Sequence, residues 1–263
     1  MSPHIQLSIL TPYKFRSHWI DRCIDNFLSQ ECQQAEHIII VDKDDEKSYQ
    51  AALRASLKSP STTVVQQEKT GLANALNHGT HIANGEIISI LNIDDFYEPG
   101  ILNRIISLND SLTLSHVVVG NVKVIDGKGS LLSWNKPESA CVTSWHLGAP
   151  FPWNPTGYFY PKRLHEQIGF YDSTYTTCVD LEFLCRASKS MPFKFFDEHW
   201  GNHRKIPDTI TMKALENNTY FSVEARVYQT HLTFFQKLYC MLYQKNRKWR
   251  SLVRKLLRRA KDK

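Results

Sequence analysis

Three short apolar runs, each ending on polar residues, limit this chain to few architectures. The first spans Ile5 to Thr11 and stops at Pro12, which predicts a buried strand, because proline cannot extend a hydrogen-bonded ladder. The second, His37-Ile-Ile-Ile-Val-Asp42, is almost continuously β-branched. The third, Glu86-Ile-Ile-Ser-Ile-Leu91, runs directly into Asn92-Ile-Asp94-Asp95. Strands without polar alternation are covered on both faces, as in parallel sheets flanked by helices. Helical spacing fills the gaps. Trp19, Ile20, Cys23, Ile24, Phe27 and Leu28 recur between Ser17 and Gln30, with Ser17 as N-cap. A second helix runs through Tyr49–Leu57, and a third carries Leu72, Leu76 and Ile82 to an Asn84-Gly85 C-cap. With a further strand at Thr63–Gln66, the alternation predicts an α/β fold, a doubly wound, mostly parallel, Rossmann-like sheet. Ligands of such sheets bind beyond the carboxyl ends of the strands, where Thr11, Asp42 and Asp94 all fall.

The second half reads differently. Val117 to Ile125 predicts a strand closed by an Asp126-Gly127 turn, and the proline- and aromatic-rich stretch from Pro150 to Pro161 predicts irregular, close-packed chain. A short helix at Leu164–Ile168 stops at Gly169, a second covers Asp180–Arg186, and Phe193–Phe196 is a late strand.

Charge is unevenly spread. The chain of 263 residues carries a net +6, yet Lys245 to Lys263 alone holds ten Lys/Arg against one acidic residue. The body before it is therefore mildly acidic, and any partner read from charge belongs to this tail. There Leu252, Val253, Leu256 and Leu257 share a helical stripe beside Trp249, with Arg250, Arg254, Lys255, Arg258, Arg259 and Lys261 around it. Upstream, Phe234, Phe235, Leu238, Met241 and Leu242 extend a similar stripe. This is the pattern of an interfacial helix on anionic lipid, and it competes with a helix packed on the domain and, more weakly, with a nucleic-acid contact. We take no nucleic acid as partner. The N-terminus shows no leader pattern and no apolar run nears the ~20 residues that span a bilayer, so the chain is expected in the cytosol, peripheral on the cytoplasmic face of a membrane. Six cysteines without metal-ligand spacing read as reduced, small apolar fillers.

Asp94 and Asp95 raise the chemical question. Adjacent carboxylates at the end of a buried strand raise each other's pKa unless a cation neutralises them. Hard oxygen donors suit Mg²⁺ or Mn²⁺, bridging to a substrate diphosphate. The bland alternative is that they cap a helix beginning near Pro99.

Glu68 to Gly100, EKTGLANALNHGTHIANGEIISILNIDDFYEPG, resembles the donor-binding half of the family 2 glycosyltransferases with the GT-A fold. SILTPYK resembles that family's first strand and nucleotide-contacting turn, IIIVDKDD its second strand, and IGFYDSTYTTCVDLEFLCRAS the stretch around its catalytic base. The resemblance spans about Gln6 to Arg186. It implies that Thr11, Pro12 and Tyr13 line the nucleotide pocket and that Asp42 accepts from a uracil-like base edge. It implies that Lys69 and Asn74 reach ribose or phosphate, that Asn92 and Asp94 stand for the Asp-x-Asp signature, and that Asp94 and Asp95 bind the metal. Asp180 resembles the general base, with an N-cap as its bland reading and Glu182 as nearest competitor. The implied activity is an inverting, metal-dependent, hexosyltransferase-like transfer from a nucleotide-diphosphate sugar, UDP-linked, to a sugar or lipid-linked acceptor hydroxyl in surface polysaccharide or glycolipid synthesis.

Two departures stand out. Lys43-Asp-Asp-Glu46 replaces the small residues usual after the second strand, and Ile206 occupies the place of a late histidine, with Arg204 matching the arginine and His203 nearby. Trp153, Asn154 and Tyr158 are candidates for the acceptor pocket, against core packing. Two other readings remain: a nucleotidyltransferase, which lacks its glycine-rich phosphate loop here, and a non-catalytic nucleotide-sugar-binding partner subunit of the same fold. The domain division expected is 1–220, split near residue 98 into donor and acceptor halves, with a basic amphipathic helical extension over 221–263.

Overall fold

The computed structural model describes residues 5–14, 17–108, 110–207 and 209–244. The first half alternates as β1 (Leu7–Tyr13), α1 (Ser17–Leu28), β2 (Ala35–Asp42), α2 (Glu46–Ser56), β3 (Thr62–Gln67), α3 (Leu72–Ile82) and β4 (Ile87–Ile90). Then follow β5 (Phe96–Tyr97), α4 (Ile101–Ser107), α5 (Asp110–Thr113), β6 (Val117–Ile125), β7 (Leu131–Asn135) and α6 (Val142–His146). The remainder is β8 (Tyr158–Pro161), α7 (Leu164–Ile168), α8 (Val179–Ser190), β9 (Phe193–Arg204), α9 (Ile210–Glu216), α10 (Thr219–His231) and a helix α11 over 234–244.

One sheet runs in the order β3-β2-β1-β4-β8-β6-β9-β5, with β7 beside β6. β3, β2, β1 and β4 are mutually parallel, so the ends of β1, β2 and β4 open on one edge. β8 enters antiparallel between β4 and β6, while β6 and β9 are parallel. The helices cover both faces: α3 and α8 with Leu10, Ile88, Tyr158 and Phe183, and α1 and α4 with Leu7, Ile9, Tyr97 and Trp200.

Several expectations are corrected. Pro12 lies inside β1, opposite Ile40 of β2; it is tolerated because β4 pairs with β1 only as far as Leu10, which leaves an edge at that point. The stretch ending at Pro161 is not irregular throughout but yields the fully buried central strand β8. The C-cap of α3 is Ala83; Gly85 serves a close approach instead, since a Cβ there would stand 2.6 Å from the Ser8 backbone nitrogen. β5 and β7 had no clear signal, and β9 is much longer than Phe193–Phe196 because it pairs along the whole of β6. The extension expected from residue 221 begins in mid-helix: α10 starts at Thr219 and buries Val227 and Tyr228 in the same core as α8. The basic stripe from Trp249 to Lys261 lies outside the described residues. All six cysteines are free.

Gly120 sits on β6 against β9, where an added Cβ would meet the Trp200 ring at 2.2 Å. Trp200 is fully buried and cannot yield. Gly120→Ala is expected to cost about 2–3 kcal/mol, read as a drop in the urea midpoint.

Candidate active site

β2, β1 and β4 end side by side, and the loops that leave them carry most of the predicted residues. Asp42 closes β2 half-buried, its Oδ1 accepting from the Gln67 amide at the end of β3. The unusual loop after it has a structural use: Lys43 pairs with Glu68 at 2.8 Å, and Asp45 caps α2 by accepting from the Ser48 backbone N–H at 3.0 Å. Lys69 is exposed, and Asn74 donates to the Thr70 carbonyl at 2.8 Å, holding the turn into α3.

Thr11 does not line a pocket. Its side chain is fully buried and donates to the Leu91 carbonyl at 2.8 Å. With its one proton committed there, its contact with His37 Nε2 at 2.8 Å requires that nitrogen to donate. Burial pushes His37 down to about 3, so the imidazole is neutral. Thr11 therefore ties the end of β1 to β2 and to the chain leaving β4. Pro12 is half-buried, and Tyr13 packs under α1 with Ile20 and Ile24.

The adjacent aspartates have separate tasks. Asp95 is buried, and its oxygens accept from Asn92 Nδ2 (2.9 Å), Asn154 Nδ2 (2.9 Å), His203 Nδ1 (3.0 Å) and the Arg204 backbone N–H (3.0 Å). Burial pushes its carboxyl up, but the His203 charge and the hydrogen bonds from His203, Asn154 and Asn92 outweigh it and hold the group below its ordinary value. Burial likewise opposes charge on His203, and Asp95 overcomes it, so His203 is raised. A metal on Asp95 would have to displace these donors. Asp94 is half-buried; both aspartates border a cavity of about 220 Å³, together with Trp19, Arg22, Asn26, Phe96 and Arg204, but Asp94 is the more accessible of the two. Neither caps the next helix, whose N-cap is Gly100. Among the described residues no group of three or more His, Cys, Asp or Glu side chains could hold a metal ion by itself. One accessible carboxylate still fits Mg²⁺ or Mn²⁺ when substrate diphosphate and water complete the shell.

Asn154, suggested by the sequence for the acceptor, is almost fully buried and is the keystone between Asp95 and the Thr156 turn, whose N–H and hydroxyl bond its Oδ1. Tyr158 is wholly buried in β8 and cannot shape a pocket wall. Trp153 stands half-buried, its ring edge-on to His203 with centroids 4.9 Å apart.

Asp180 lies in the first turn of α8, entered through Cys178 in the left-handed region at φ 57. As a residue it is half-buried; the Leu181 N–H donates to it at 2.9 Å, and desolvation of the carboxyl outweighs its backbone hydrogen bonds and pushes it up to about 6. Glu182, its competitor, is spoken for: Arg186 clasps both its oxygens at 2.7–2.8 Å and His231 Nε2 donates at 3.2 Å. These bonds outweigh its burial and keep it below the ordinary glutamate value.

Sequence reasoning missed Trp19, Arg22 and Asn26, because a helix face spaced for burial hides which residues line a cavity. Arg22 and Arg204 both place guanidinium groups about 5 Å from the Trp19 ring centre, which the i, i+3 spacing of Trp19 and Arg22 only hints at.

The model of the family described as Glycosyl transferase family 2 matches residues 8–178. An uncharacterized glycosyltransferase of Rickettsia felis is 24% identical over 197 residues, covering 72% of this chain and 32% of that protein. This chain thus spans about a third of that relative's length. Among solved structures, S. aureus TarS 1–349 in complex with UDP-GlcNAc matches with a TM-score of 0.62 at 16% identity, over 79% of this chain and 61% of that one. The Pyrobaculum calidifontis mannosyltransferase PcManGT, in complex with GDP-Man and Mn²⁺, matches with 0.59 at 15% identity, over 86% and 65%. At these identities the structural likeness speaks to the fold alone.

Asp95→Ala leaves a buried His203 and two amides unmatched, and is expected to destabilise the protein by roughly 3–5 kcal/mol in chemical unfolding. For Asp180 the sign is opposite. With the folded-state pKa raised to about 6, ionisation opposes folding increasingly from about pH 4 and in full above about pH 6. Asp180→Asn should melt a few degrees above the parent at pH 8, with the gap closing as pH falls from about 6 to about 4.

Proposed function

The chain belongs to glycosyl transferase family 2 and has the GT-A fold, and from that premise we propose that it is an inverting, hexosyltransferase-like enzyme. It moves a sugar from a nucleotide diphosphate to an acceptor hydroxyl. The observation that carries this reading is Asp180, an enclosed carboxylate poised at about 6 at the start of α8.

In such a transfer the acceptor oxygen bonds to the anomeric carbon while the carbon–oxygen bond to the diphosphate breaks on the opposite face. The hydroxyl proton must go to a base as the new bond forms, and Asp180 is its acceptor. A pKa near 6 leaves the group mostly ionised at neutral pH yet basic enough to take the proton. Asp42 would accept from a base N–H with the carboxylate oxygen that Gln67 does not occupy. Asp94 would hold a Mn²⁺ or Mg²⁺ ion together with the donor, and that ion supplies charge neutralisation for the departing diphosphate. Asp95 acts through its neighbours, holding Asn92 and the turn that presents Asp94.

We propose UDP as the carrier, on the placement of the half-buried Asp42 carboxylate at the end of β2 and the likeness to TarS, solved in complex with UDP-GlcNAc. The guanine edge of GDP also offers N–H donors to a carboxylate, and the PcManGT relative binds GDP-Man with Mn²⁺. A thermal-shift comparison of UDP- and GDP-sugars with and without Mn²⁺ decides between them, because a ligand bound only by the folded state raises its melting point by mass action. The acceptor we propose is a sugar or lipid-linked sugar in surface polysaccharide or glycolipid synthesis.

Asp180→Asn is expected to keep the donor-induced thermal shift while transfer falls by at least ~100-fold. In the parent, kcat/KM should decline below about pH 6 as Asp180 is protonated. Loss of donor binding with the substitution would remove Asp180 from the role of base. No shift with any nucleotide-sugar, with or without Mn²⁺, would overturn the donor reading altogether.

A further inference from the structure

Helix α11 is turned outside in. Its contact with the domain is made by Cys240, which is buried, with Gln236 half-buried one turn earlier. At about 100° per residue, the side opposite Cys240 collects Phe234, Phe235, Leu238, Tyr239, Met241 and Leu242. They are exposed: Phe234 by 73%, Phe235 by 78% and Leu242 by 55%. A helix lying on a soluble domain normally shows its polar side to water. A contiguous apolar face of this kind marks a surface that something covers.

Charge says what covers it. Lys237 lies beside the stripe, and the residues that directly follow the helix, Lys245 to Lys263, hold ten Lys/Arg and one acidic side chain. We propose that the outward face of α11 docks on an anionic lipid surface, with the apolar and aromatic side chains entering the headgroup boundary and the basic residues meeting the lipid charge. A second copy of this chain would set one strongly basic segment against another, so like charges oppose self-association through this face. Phosphate backbones would meet the basic residues but leave the apolar stripe in water.

The docking face is tied to α8, whose first turn carries Asp180. His231, at the end of α10, donates to Glu182 of α8 at 3.2 Å, and Lys189 of α8 donates to the His231 carbonyl at 2.7 Å. Leu232 and Cys240 bury in the core that α8 also shares. Lipid contact at α11 therefore orients α8 relative to the surface, which suits an acceptor carried on a lipid. The binding itself does not depend on the sugar-transfer reading. No helix among the described residues is long and apolar enough to cross a membrane.

The test is flotation of the full chain with extruded vesicles, without nucleotide. The expected result is recovery with vesicles containing phosphatidylglycerol and little recovery with phosphatidylcholine alone. A chain carrying Phe234→Glu, Phe235→Glu and Leu242→Glu should partition at least ~10-fold less, with an unchanged melting point. The milder Phe235→Ser and Leu242→Ser chains should fall between, which guards against a folding defect in the triple variant. Absence of binding to the anionic vesicles, or equal binding by parent and variants, overturns the proposal. So does light scattering that shows a parent dimer which the triple variant converts to monomer, because the face would then be a protein interface. Transfer to a soluble acceptor, measured separately, tests the enzyme reading and is expected to survive all three variants.

Discussion

Asp95 fixes where everything else at the site stands. A carboxylate without solvent is tolerable only when its charge is matched and its lone pairs are used, and here four donors do both, one local and three from two distant segments. Asn92 comes from the chain leaving β4, Asn154 from the turn before β8, and His203 with Arg204 from the end of β9. The bond to Asn154 in turn sets the Thr156 turn, and the approach of β9 to β6 depends on a glycine where Trp200 arrives. Asp94, one residue away, gains an orientation without contributing to the cost of burial.

Three carboxylates withdrawn from water to differing degrees show how neighbours, and not depth alone, decide the state of an acid. Asp95 and Glu182 are both held low because cationic partners and N–H donors outweigh desolvation. Asp180, half-buried as a residue, has only backbone N–H groups to offset desolvation and is driven up to about 6. The same sheet and helices thus supply two acids whose ionised form is favoured and which hold structure, and one that can exchange a proton near neutral pH.

Much of this was legible in the sequence, for stated reasons. Long β-branched runs mark β1, β2 and β4 because only a parallel sheet covers both faces, and β6 appeared with the bounds expected for it. The edge where Asp42 and Asp94 emerge followed from that topology. What escaped depended on partners far away in the chain. Pro12 is acceptable only because β4 ends early, and β8 is a strand only because β4 and β6 present it with ladders. Thr11 looked like a pocket residue until His37 and Leu91 claimed its hydroxyl. The difference between Asp94 and Asp95 was invisible locally, since it is made by residues 154 and 203.

That span has a consequence for how the protein comes into being. During synthesis every acid of the site, from Asp42 to Asp180, emerges before His203 and Arg204. A nascent chain that stops short of β9 already holds the sequence motifs yet has an uncompensated charge where Asp95 must be buried. The motif turn cannot settle until the last long strand arrives, so the geometry of this edge forms late, once the sheet is complete.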